Sequence, residues 1–459
     1  MKQPLRAGLE EVMKKNRARF HMPGHKGRSE FLLPLGWDFT EIPETDDLHD
    51  PTGIIQESQR QAALLFHAKE SFYLVNGASG GLQAAILSVC GPGDRVVIPR
   101  NAHQSVHFGI EFAGAHPIYC LPRQVQPALY AGLNLEDFRQ IVEREKPKAA
   151  VFTYPTYEGI CWNLQDFLAL CRDNGVISIV DEAHGAHLPF FSSLPPSALE
   201  MGADLVVASV HKMLPAPTQT AILHLGTDQV PVSWIREALH RIQSSSPSYL
   251  LLLGIEEALA WMARVNPEEE VARIVAVRQE LGQIEGLELV EGEAQDPYKF
   301  LLRASQRGFT GAALYEALRI AGIEPEWQQG DYVLLMASPC QAQEDYDRLI
   351  DSLRVLPVGN AIERELPALG GFSISERICS TLQARKAPRE FVALDESVGR
   401  IVAENLTPYP PGIPLIIAGE RMSEEVAALL RTVQREGRRI YGANHQIPVI
   451  DEGKWVRIP

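Results

Sequence analysis

Residues 205–212, Leu205-Val-Val-Ala-Ser-Val-His-Lys212, determine how the fold is interpreted, because a short apolar run leads directly into a basic pair. Four apolar residues bounded by polar ones are typical of a strand buried in a sheet. Lys212 then follows the carboxyl end of that strand, where ligands bind in open α/β sheets. A lysine in a partly desolvated pocket can lose its proton and act as a nucleophile. Taken alone, Lys212 could equally be a solvated loop residue.

Six further apolar runs lie between residues 66 and 225, separated by helix-like segments. This alternation predicts a parallel sheet with crossover helices. The seven predicted strands are Ser71–Val75, Arg95–Ile98, His116–Cys120, Ala149–Thr153, Ile177–Asp181, Leu205–Ser209 and Ala221–Leu225. The sequence therefore predicts an α/β protein with a large, mainly parallel, seven-stranded domain.

Changes of pattern along the chain predict four parts. Residues 1–60 are expected to form an N-terminal arm, and residues 61–265 the large α/β domain. Residues 285–355 follow the order strand, strand, helix, strand, helix, and residues 266–358 are expected to form a small α+β domain. Residues 359–459 are expected to form a C-terminal domain, in which the prolines of residues 409–414 impose an extended path.

Composition limits the classes of partner. Among 459 residues, 43 Lys and Arg against 58 Asp and Glu give a net charge of −15, so no overall basic surface favours nucleic acid or an anionic membrane. No run approaches the roughly 18 apolar residues of a membrane span, and the start lacks a signal-like apolar segment. Six cysteines without a CxxC pair suit buried thiols in a reducing compartment. We expect a cytoplasmic protein.

A second polar cluster, Asp181-Glu-Ala-His-Gly185, ends another apolar run. An ionised carboxylate on a buried strand needs a positive partner, and a protonated pyridine nitrogen supplies one. A metal site built from Asp181, His184 and His187 is the alternative. Its spacing matches neither a zincin helix nor a Cys/His cluster.

Two more clusters follow predicted strands. Residues 75–82 (VNGASGGL) combine a strand end, a glycine turn and a helix start, which present backbone N–H groups and a hydroxyl to an anion such as phosphate. They match neither a Walker A loop nor GxGxxG, and a simple tight turn is the alternative. His103 follows the strand Arg95–Ile98, where its ring could stack on an aromatic cofactor or be purely structural.

A phosphate turn, a stacking histidine, an aspartate and a lysine thus occur in chain order at predicted strand ends, which suits a phosphorylated pyridine aldehyde. With these clusters the sequence resembles the short form of the pyridoxal-phosphate-dependent ornithine/lysine/arginine decarboxylases of the aspartate-aminotransferase fold type. The further matching segments are residues 21–27 (HMPGHKG), 46–53 (DDLHDPTG), 154–159 (YPTYEG), 243–249 (QSSSPSY), 408–414 (PYPPGIP) and 419–420 (GE).

The resemblance implies a set of site residues. Lys212 is expected to bond to pyridoxal 5'-phosphate, Asp181 to face its ring nitrogen and His103 to stack on its ring, and these three are the expected catalytic residues. The other expected cofactor contacts are Ala78, Ser79, Gly80, Ala183, His184, Ser209, His211 and, from a neighbouring subunit, Ser245. Ala78 stands where the family usually has threonine, which removes one phosphate hydrogen bond worth about 1.5–3 kcal/mol.

The resemblance also implies decarboxylation of a basic amino acid to an amine that serves polyamine synthesis. Among the three basic amino acids we favour arginine or lysine over ornithine, and arginine would gain most from a bidentate carboxylate. It implies a homodimer or a dimer of dimers with shared active sites. Another enzyme of the same fold, an aminotransferase or carbon-sulfur lyase, stays open, as does a non-catalytic regulatory relative. The candidate ligands for the substrate's cationic tail are Asp46, Asp47, Asp50, Glu158, Glu324 and Glu326.

Overall fold

Strands and helices alternate over most of the chain in the computed structural model, which describes residues 14–21, 23–26, 35–126, 129–292, 294–362, 373–409, 412–443 and 446–455. The strands are β1 Ala18–Phe20, β2 Glu70–Leu74, β3 Arg95–Pro99, β4 His116–Cys120, β5 Pro122–Gln126, β6 Leu129–Leu133, β7 Ala149–Thr153, β8 Ile177–Glu182, β9 Leu205–Ala208, β10 Ala221–Leu225, β11 Glu288–Val290, β12 Lys299–Arg303, β13 Ile323–Pro325, β14 Trp327–Gln329, β15 Tyr332–Met336, β16 Arg389–Val392, β17 Thr407–Tyr409, β18 Arg439–Tyr441 and β19 Ile447–Ile450. The α-helices are α1 Ile54–Leu65, α2 Gly77–Val89, α3 Gln104–Ala113, α4 Leu135–Glu145, α5 Gln165–Asp173, α6 Val210–Met213, α7 Val232–Ile242, α8 Tyr249–Met262, α9 Pro267–Gly282, α10 Gly311–Ile320, α11 Gln343–Arg354, α12 Thr381–Lys386 and α13 Glu424–Arg435.

The seven predicted strands form one sheet, in the order β2-β10-β9-β8-β7-β3-β4. Only β10 runs against its neighbours, β2 and β9, so the other six strands point the same way. The predicted α/β class with a mainly parallel seven-stranded sheet is confirmed. Strand β9 ends one residue earlier than predicted, because Ser209 already begins the turn into α6.

Both faces of this sheet are buried, which explains why its strands are apolar runs rather than alternating ones. In β9, Val206 packs into the core on one face and Val207 into the core on the other, and neither is exposed. Burial of each such side chain contributes about 1.5–3 kcal/mol. The common strand direction brings the ends of β2, β3, β8 and β9 to one edge of the sheet.

The small domain consists of an antiparallel sheet, β11-β12-β15-β14, with α10 and α11. Its predicted strand-strand-helix-strand-helix order is confirmed. The core of this domain is continuous with the core on one face of the large sheet. The three-residue strands β13 and β14 were not predicted, because residues 323–329 mix apolar residues with a proline and several polar ones.

The C-terminal residues form the small ladders β16-β19 and β17-β18 around α13, with a hydrophobic core of their own. Of the proline-rich segment 408–414, Pro408 and Tyr409 belong to β17, while Pro410 and Pro411 lie outside the described residues. The predicted domain boundaries stay a prediction.

Two sequence expectations concern the molecule as a whole. All six cysteine side chains are buried, as expected. Throughout the described parts of the chain, no helix has both the length and the apolar character that crossing a bilayer requires.

Candidate active site

A cavity of about 470 Å³ opens at the sheet edge where β2, β3, β8 and β9 end. Residues of the large, small and C-terminal parts all line it. Nine of the eleven predicted site residues contribute, namely Ala78, Ser79, His103, Asp181, Ala183, His184, Ser209, His211 and Lys212. Residues from four separate loops therefore meet in one place, as the common direction of the strands requires.

The other two predicted residues, Gly80 and Ser245, do not line this cavity. The N–H of Gly80 donates to the carbonyl of Asn76 inside α2, and a Cβ on Gly80 would approach Asn76 Cβ to 2.8 Å. Gly80 thus permits close packing of the helix start. Ser245 is exposed.

Helix α2 directs its N-terminus at the cavity. Asn76 caps the helix without a side-chain hydrogen bond, so the first N–H groups of α2 have no side-chain cap. Gly77 has a φ of +69°, a backbone conformation that favours glycine, and its N–H donates to the carbonyl of Gln219 over 2.8 Å. The exposed Ser79 adds a hydroxyl in the first turn. This arrangement suits a phosphate group.

Lys212 extends from the short helix α6 into the cavity, where its Nζ lies 3.1 Å from Nε2 of His184. Burial lowers the pKa of Lys212, while the carboxylates of Asp181 and Glu326 partly offset this effect. A lysine with a lowered pKa is more often the neutral amine, which is the nucleophilic form.

Asp181 ends the buried strand β8 and is 5% exposed. Burial raises the pKa of its carboxyl, and Lys212 and the hydrogen bond from the N–H of Ala183 act in the opposite direction. A carboxylate at this depth is stabilised by a positive group nearby. Asp181 thus suits a protonated ring nitrogen, the role predicted for it.

His103 is the N-cap residue of α3, and its Nδ1 accepts hydrogen bonds from the N–H and the hydroxyl of Ser105. Burial, and then the charge of Lys212, lower the pKa of His103 to about 4. The ring is therefore neutral at pH 7. Gly412, with a φ of +88°, lies so close that a Cβ there would be 3.0 Å from Nε2 of His103.

His211 is held by its Nδ1, which lies 3.0 Å from the carbonyl of Thr220 and 3.2 Å from Oγ of Ser209. Because a carbonyl only accepts, Nδ1 carries the proton and Nε2 has its lone pair available. Burial lowers the pKa of His211 to about 4.

Two lysines near the cavity were missed from the sequence. Lys299, at the start of β12, is fully buried and lies 2.9 Å from Nδ1 of His184. Lys26 donates to the carbonyls of His21 and Met336, and burial lowers its pKa to about 7. The only signal for Lys299 was a lysine opening an otherwise apolar strand. Lys26 lies in the 21–27 segment, whose Met22 and Gly27 fall outside the described residues.

The candidate acidic residues separate into two groups. Glu158 and Glu326 line the cavity, and the hydroxyl of Tyr157 donates to Oε1 of Glu326 over 2.6 Å. Burial raises the pKa of Glu158, against the effect of Lys299.

The other four acidic residues do not line the cavity. The Asp46 carboxylate accepts backbone N–H groups of residues 47, 52, 53, 55 and 56 and thereby caps α1. Asp47 accepts the N–H of His49. Glu324 pairs with Arg17 and Arg319. The structure thus leaves Glu158 and Glu326 as the candidates for a cationic ligand.

The alternative metal site does not form. His187 points to Asp296, with Nε2 3.0 Å from Oδ1, while His184 contacts the two lysines. In the described ranges, no group of three His, Cys, Asp or Glu side chains is arranged to hold a metal ion.

Comparison with known proteins gives a consistent family match. The family profile described as "Orn/Lys/Arg decarboxylase, major domain" matches residues 3–295, and the corresponding C-terminal domain profile matches residues 380–452. An uncharacterised protein of Bacillus subtilis is 34% identical over 97% of this chain and 96% of its own length. A protein named arginine decarboxylase from the same organism is 33% identical over 99% of both chains.

Among solved structures, lysine decarboxylase A from Pseudomonas aeruginosa superimposes with a TM-score of 0.76. The match covers 97% of this chain and 82% of that one at 22% identity. At this identity the superposition supports the shared fold.

Proposed function

This chain belongs to the Orn/Lys/Arg decarboxylase family, and we propose that it converts a basic amino acid, arginine in the first place, to its amine and carbon dioxide. One observation carries the proposal. Lys212, Asp181, His103 and the N-terminus of α2 line a single cavity together with two carboxylates. The first four suit a phosphorylated pyridine aldehyde, and the carboxylates suit a cationic substrate.

The residues present fit pyridoxal 5'-phosphate. The start of α2, with Ala78 and Ser79, would hold the phosphate, together with Ser209 and His211. Asp181 would hold the ring nitrogen, and Lys212 would bond to the aldehyde carbon. The imidazole of His103 would cover one face of the cofactor ring, and the methyl group of Ala183 would cover the other. When bound, this group accepts the electron pair that is released when the carboxyl group leaves.

The side chains of the chain itself contribute charge and shape. Asp181 would keep the proton on the ring nitrogen, since a buried carboxylate favours a cation beside it. His103, neutral at pH 7, would offer a flat face without adding charge. After carbon dioxide leaves, the α-carbon must gain one proton. Lys212 and His103 are the candidate donors, whereas the third sequence candidate, His211, holds its proton on Nδ1 against the carbonyl of Thr220.

Arginine is favoured by the cavity's two carboxylates. A planar guanidinium can bind a carboxylate through two parallel hydrogen bonds. The Tyr157 hydroxyl donates to Oε1 of Glu326 over 2.6 Å and so orients this carboxylate at the cavity wall. The relative named arginine decarboxylase, similar over 99% of both chains, supports the same choice.

The first experiment locates the cofactor. Purified full-length protein is incubated with pyridoxal phosphate, reduced with borohydride and digested, and the modified peptide is identified by mass spectrometry. We expect the modification on Lys212 and none in Lys212→Ala. A modification on another lysine in the wild type would contradict the assignment.

The second experiment tests substrate recognition with a matched pair of variants. Glu326→Gln should lower kcat/KM for arginine about 30- to 1000-fold, because one partner of a buried charge pair is lost. Glu324→Gln is the control, since Glu324 lies two residues away but pairs with Arg17 and Arg319 outside the cavity. Equal effects of both variants would exclude Glu326 as the tail ligand.

We also propose a homodimer with shared active sites, in which Ser245 reaches the partner's phosphate. Ser245 is exposed and lies outside the cavity of its own chain, and the large apolar side chains of Trp37, Ile54, Leu64 and Trp234 are exposed as well. Mixed Lys212→Ala and Ser245→Trp subunits should regain activity, because one of the two sites in a mixed dimer contains neither substitution. Absence of recovery after verified subunit exchange would contradict shared sites.

The expected location is the cytoplasm, where buried cysteines stay reduced. The amine that the protein produces would enter polyamine synthesis, as the family resemblance implies.

A further inference from the structure

His184 lies between two lysines that come from different domains, the half-buried Lys212 and the fully buried Lys299. Its Nε2 is 3.1 Å from Nζ of Lys212, which follows the large sheet, and its Nδ1 is 2.9 Å from Nζ of Lys299, which begins β12 of the small domain. The three side chains therefore form one hydrogen-bonded chain, Lys299–His184–Lys212.

Hydrogen-bond chemistry limits how many protons the three side chains Lys299, His184 and Lys212 can carry together. A neutral imidazole has one N–H donor and one lone pair, and an ammonium group only donates. His184 is neutral, because burial and the two lysines hold its pKa well below its ordinary value. If both lysines were charged, both ring nitrogens would have to accept, which a neutral ring cannot do. One lysine must be the neutral amine.

The surrounding charges decide which lysine keeps the proton. Asp296, Glu326 and Glu158 all favour the charged form of Lys299, whose pKa is lowered by burial only to about 8. Lys212 has Asp181 and Glu326 as its carboxylate neighbours. The proposed function assigns Asp181 to the cofactor ring, which leaves Lys212 with less support for a charge than Lys299 has.

Several titratable or charged side chains among the described residues surround Lys299, His184 and Lys212. They are Asp181 at the end of β8, Tyr157 and Glu158 after β7, Asp296 before β12, Glu326 between β13 and β14, Lys26 after β1, and the neutral rings of His103 and His211. The stem of Lys299 passes against Gly159, where any Cβ would collide with it. The family segment 154–159 therefore keeps Lys299 directed at His184.

We propose that Lys299, acting through His184, keeps Lys212 in the neutral, nucleophilic form. Lys299 donates to Nδ1, and the proton on Nε2 is then donated to the lone pair of Lys212. Lys299 is a positioning residue in this scheme, since it acts on the reacting amine through a second side chain. The inference rests on the proposed role of Lys212.

The test measures how fast the full-length, cofactor-free chain takes up pyridoxal phosphate on Lys212 between neutral and alkaline pH. Attack requires the neutral amine, so the midpoint of the pH profile reports the charge state of Lys212 without any turnover. Lys299→Met should raise the midpoint by at least about one pH unit. At any pH below the midpoint, uptake by this variant should then be about tenfold slower than uptake by the wild type. Lys299→Arg, which keeps the charge and the donor, should restore the midpoint.

Two further variants separate this chain of contacts from a general loss of structure. His184→Leu should raise the midpoint as Lys299→Met does, and the double variant should add nothing, because both act through one path. Lys26→Met removes another buried lysine, which is bonded to carbonyl oxygens instead of His184, and should leave the midpoint nearly unchanged.

Separate outcomes contradict the inference and the function beneath it. If Lys299→Met loads the cofactor on Lys212 with an unchanged midpoint, the inference is wrong and the proposed function stands. If the shifts of Lys299→Met and His184→Leu add in the double variant, Lys299 and His184 act independently and the inference is again wrong. A wild-type chain that takes up no cofactor on Lys212 overturns both.

Discussion

The carboxyl group of Asp181 shows how one buried residue can determine the chemistry of the site. It ends β8 at 5% exposure, and burial raises its pKa. We predict that Asp181→Ala retains part of the bound cofactor but lowers kcat about 100- to 10,000-fold, because the ring nitrogen loses its charge partner. Cofactor content and kcat are measured side by side. The exposed Asp166→Ala is the control, and near-normal kcat in Asp181→Ala would refute the assignment.

The neighbouring Glu182 should make the free energy of unfolding depend on pH. It is fully buried, one oxygen accepts the N–H of Ala198 over 2.7 Å, and burial raises its pKa to about 8. The unfolded chain ionises this group near its ordinary pKa of about 4.5. The folded state therefore binds more protons between these two values, so the contribution of Glu182 to stability falls as pH rises from about 4.5 to 8.

Glu182→Gln should remove that dependence, since glutamine matches the protonated acid in shape. Relative to wild type, we expect little difference in the free energy of unfolding near pH 4.5 and a gain of about 5 kcal/mol well above pH 8. Urea unfolding of wild type and Glu182→Gln at a series of pH values from about 4.5 to above 8 measures this difference in the free energy of unfolding. A variant that is less stable than wild type at every pH would refute the prediction.

Single residues also mark the limit of sequence reasoning about the site. Lys212, Asp181 and His103 could be predicted because each lies at, or within four residues of, the end of a strand of the large sheet, and the ends of parallel strands converge at one edge of the sheet. Lys299 could not, since its partner His184 lies 115 residues earlier in another domain. Gly80 fits a phosphate turn by pattern, yet packing at the helix start accounts for it.

At the scale of elements, residues 23–26 support the loop that carries Lys212. The N–H of Gly24 donates to the carbonyl of His211 over 2.7 Å, and the carbonyl of Gly24 accepts the hydroxyl of Ser338. A Cβ on Gly24 would lie 2.6 Å from the carbonyl oxygen of Leu214. The segment therefore joins the α6 loop to the small domain.

We predict that Gly24→Ala displaces the α6 loop and lowers kcat at least about tenfold, since misplacement by an ångström at a reacting group is costly. Gly282→Ala is the matched control, because a Cβ there meets nothing within 4 Å. Steady-state kinetics of the two variants, with cofactor content, provide the measurement. Equal kcat in both would show that the contact does not position the loop.

The elements themselves were predictable to different degrees. The seven core strands consist of consecutive apolar residues, since both faces are buried, and such runs are distinctive. The hairpin β5-β6 and the short strands β13 and β14 were missed. In β5, polar residues dominate (PRQVQ), so tertiary pairing rather than local preference forms these strands.

At the scale of the whole molecule, a buried ion pair connects the C-terminal part to the sheet edge. Arg100, directly after β3, donates to Glu420 over 3.0 Å, and both side chains are 1% exposed. The same guanidinium donates to the carbonyls of Pro414 and Leu415. His103 is three residues from Arg100, so this contact fixes the loop that carries the ring-stacking candidate.

We predict that Glu420→Ala lowers the free energy of unfolding by about 3–5 kcal/mol, because the buried guanidinium loses its counter-charge. The double variant Arg100→Met/Glu420→Leu should recover most of that loss, since no charge is then left buried. Chemical unfolding followed by tryptophan fluorescence measures both. If the double variant is no more stable than Glu420→Ala, the pairing is not the cause.

The large α/β domain and the small α+β domain follow from sequence periodicity, which is a local property. The placement of the C-terminal part over the cavity could not be predicted in that way, because contacts such as Arg100–Glu420 join residues 320 positions apart. The family segments at residues 408–414 and 419–420 pointed to its importance but not to its partners.

The most direct test of the account is release of carbon dioxide from carboxyl-labelled arginine, lysine and ornithine. Purified full-length protein is assayed with pyridoxal phosphate and without any keto acid, beside Lys212→Ala. We expect release from the wild type with the highest kcat/KM for arginine, and none from the variant. If a protein shown to carry the cofactor on Lys212 released no carbon dioxide from any of the three amino acids, the proposed decarboxylase activity would be contradicted.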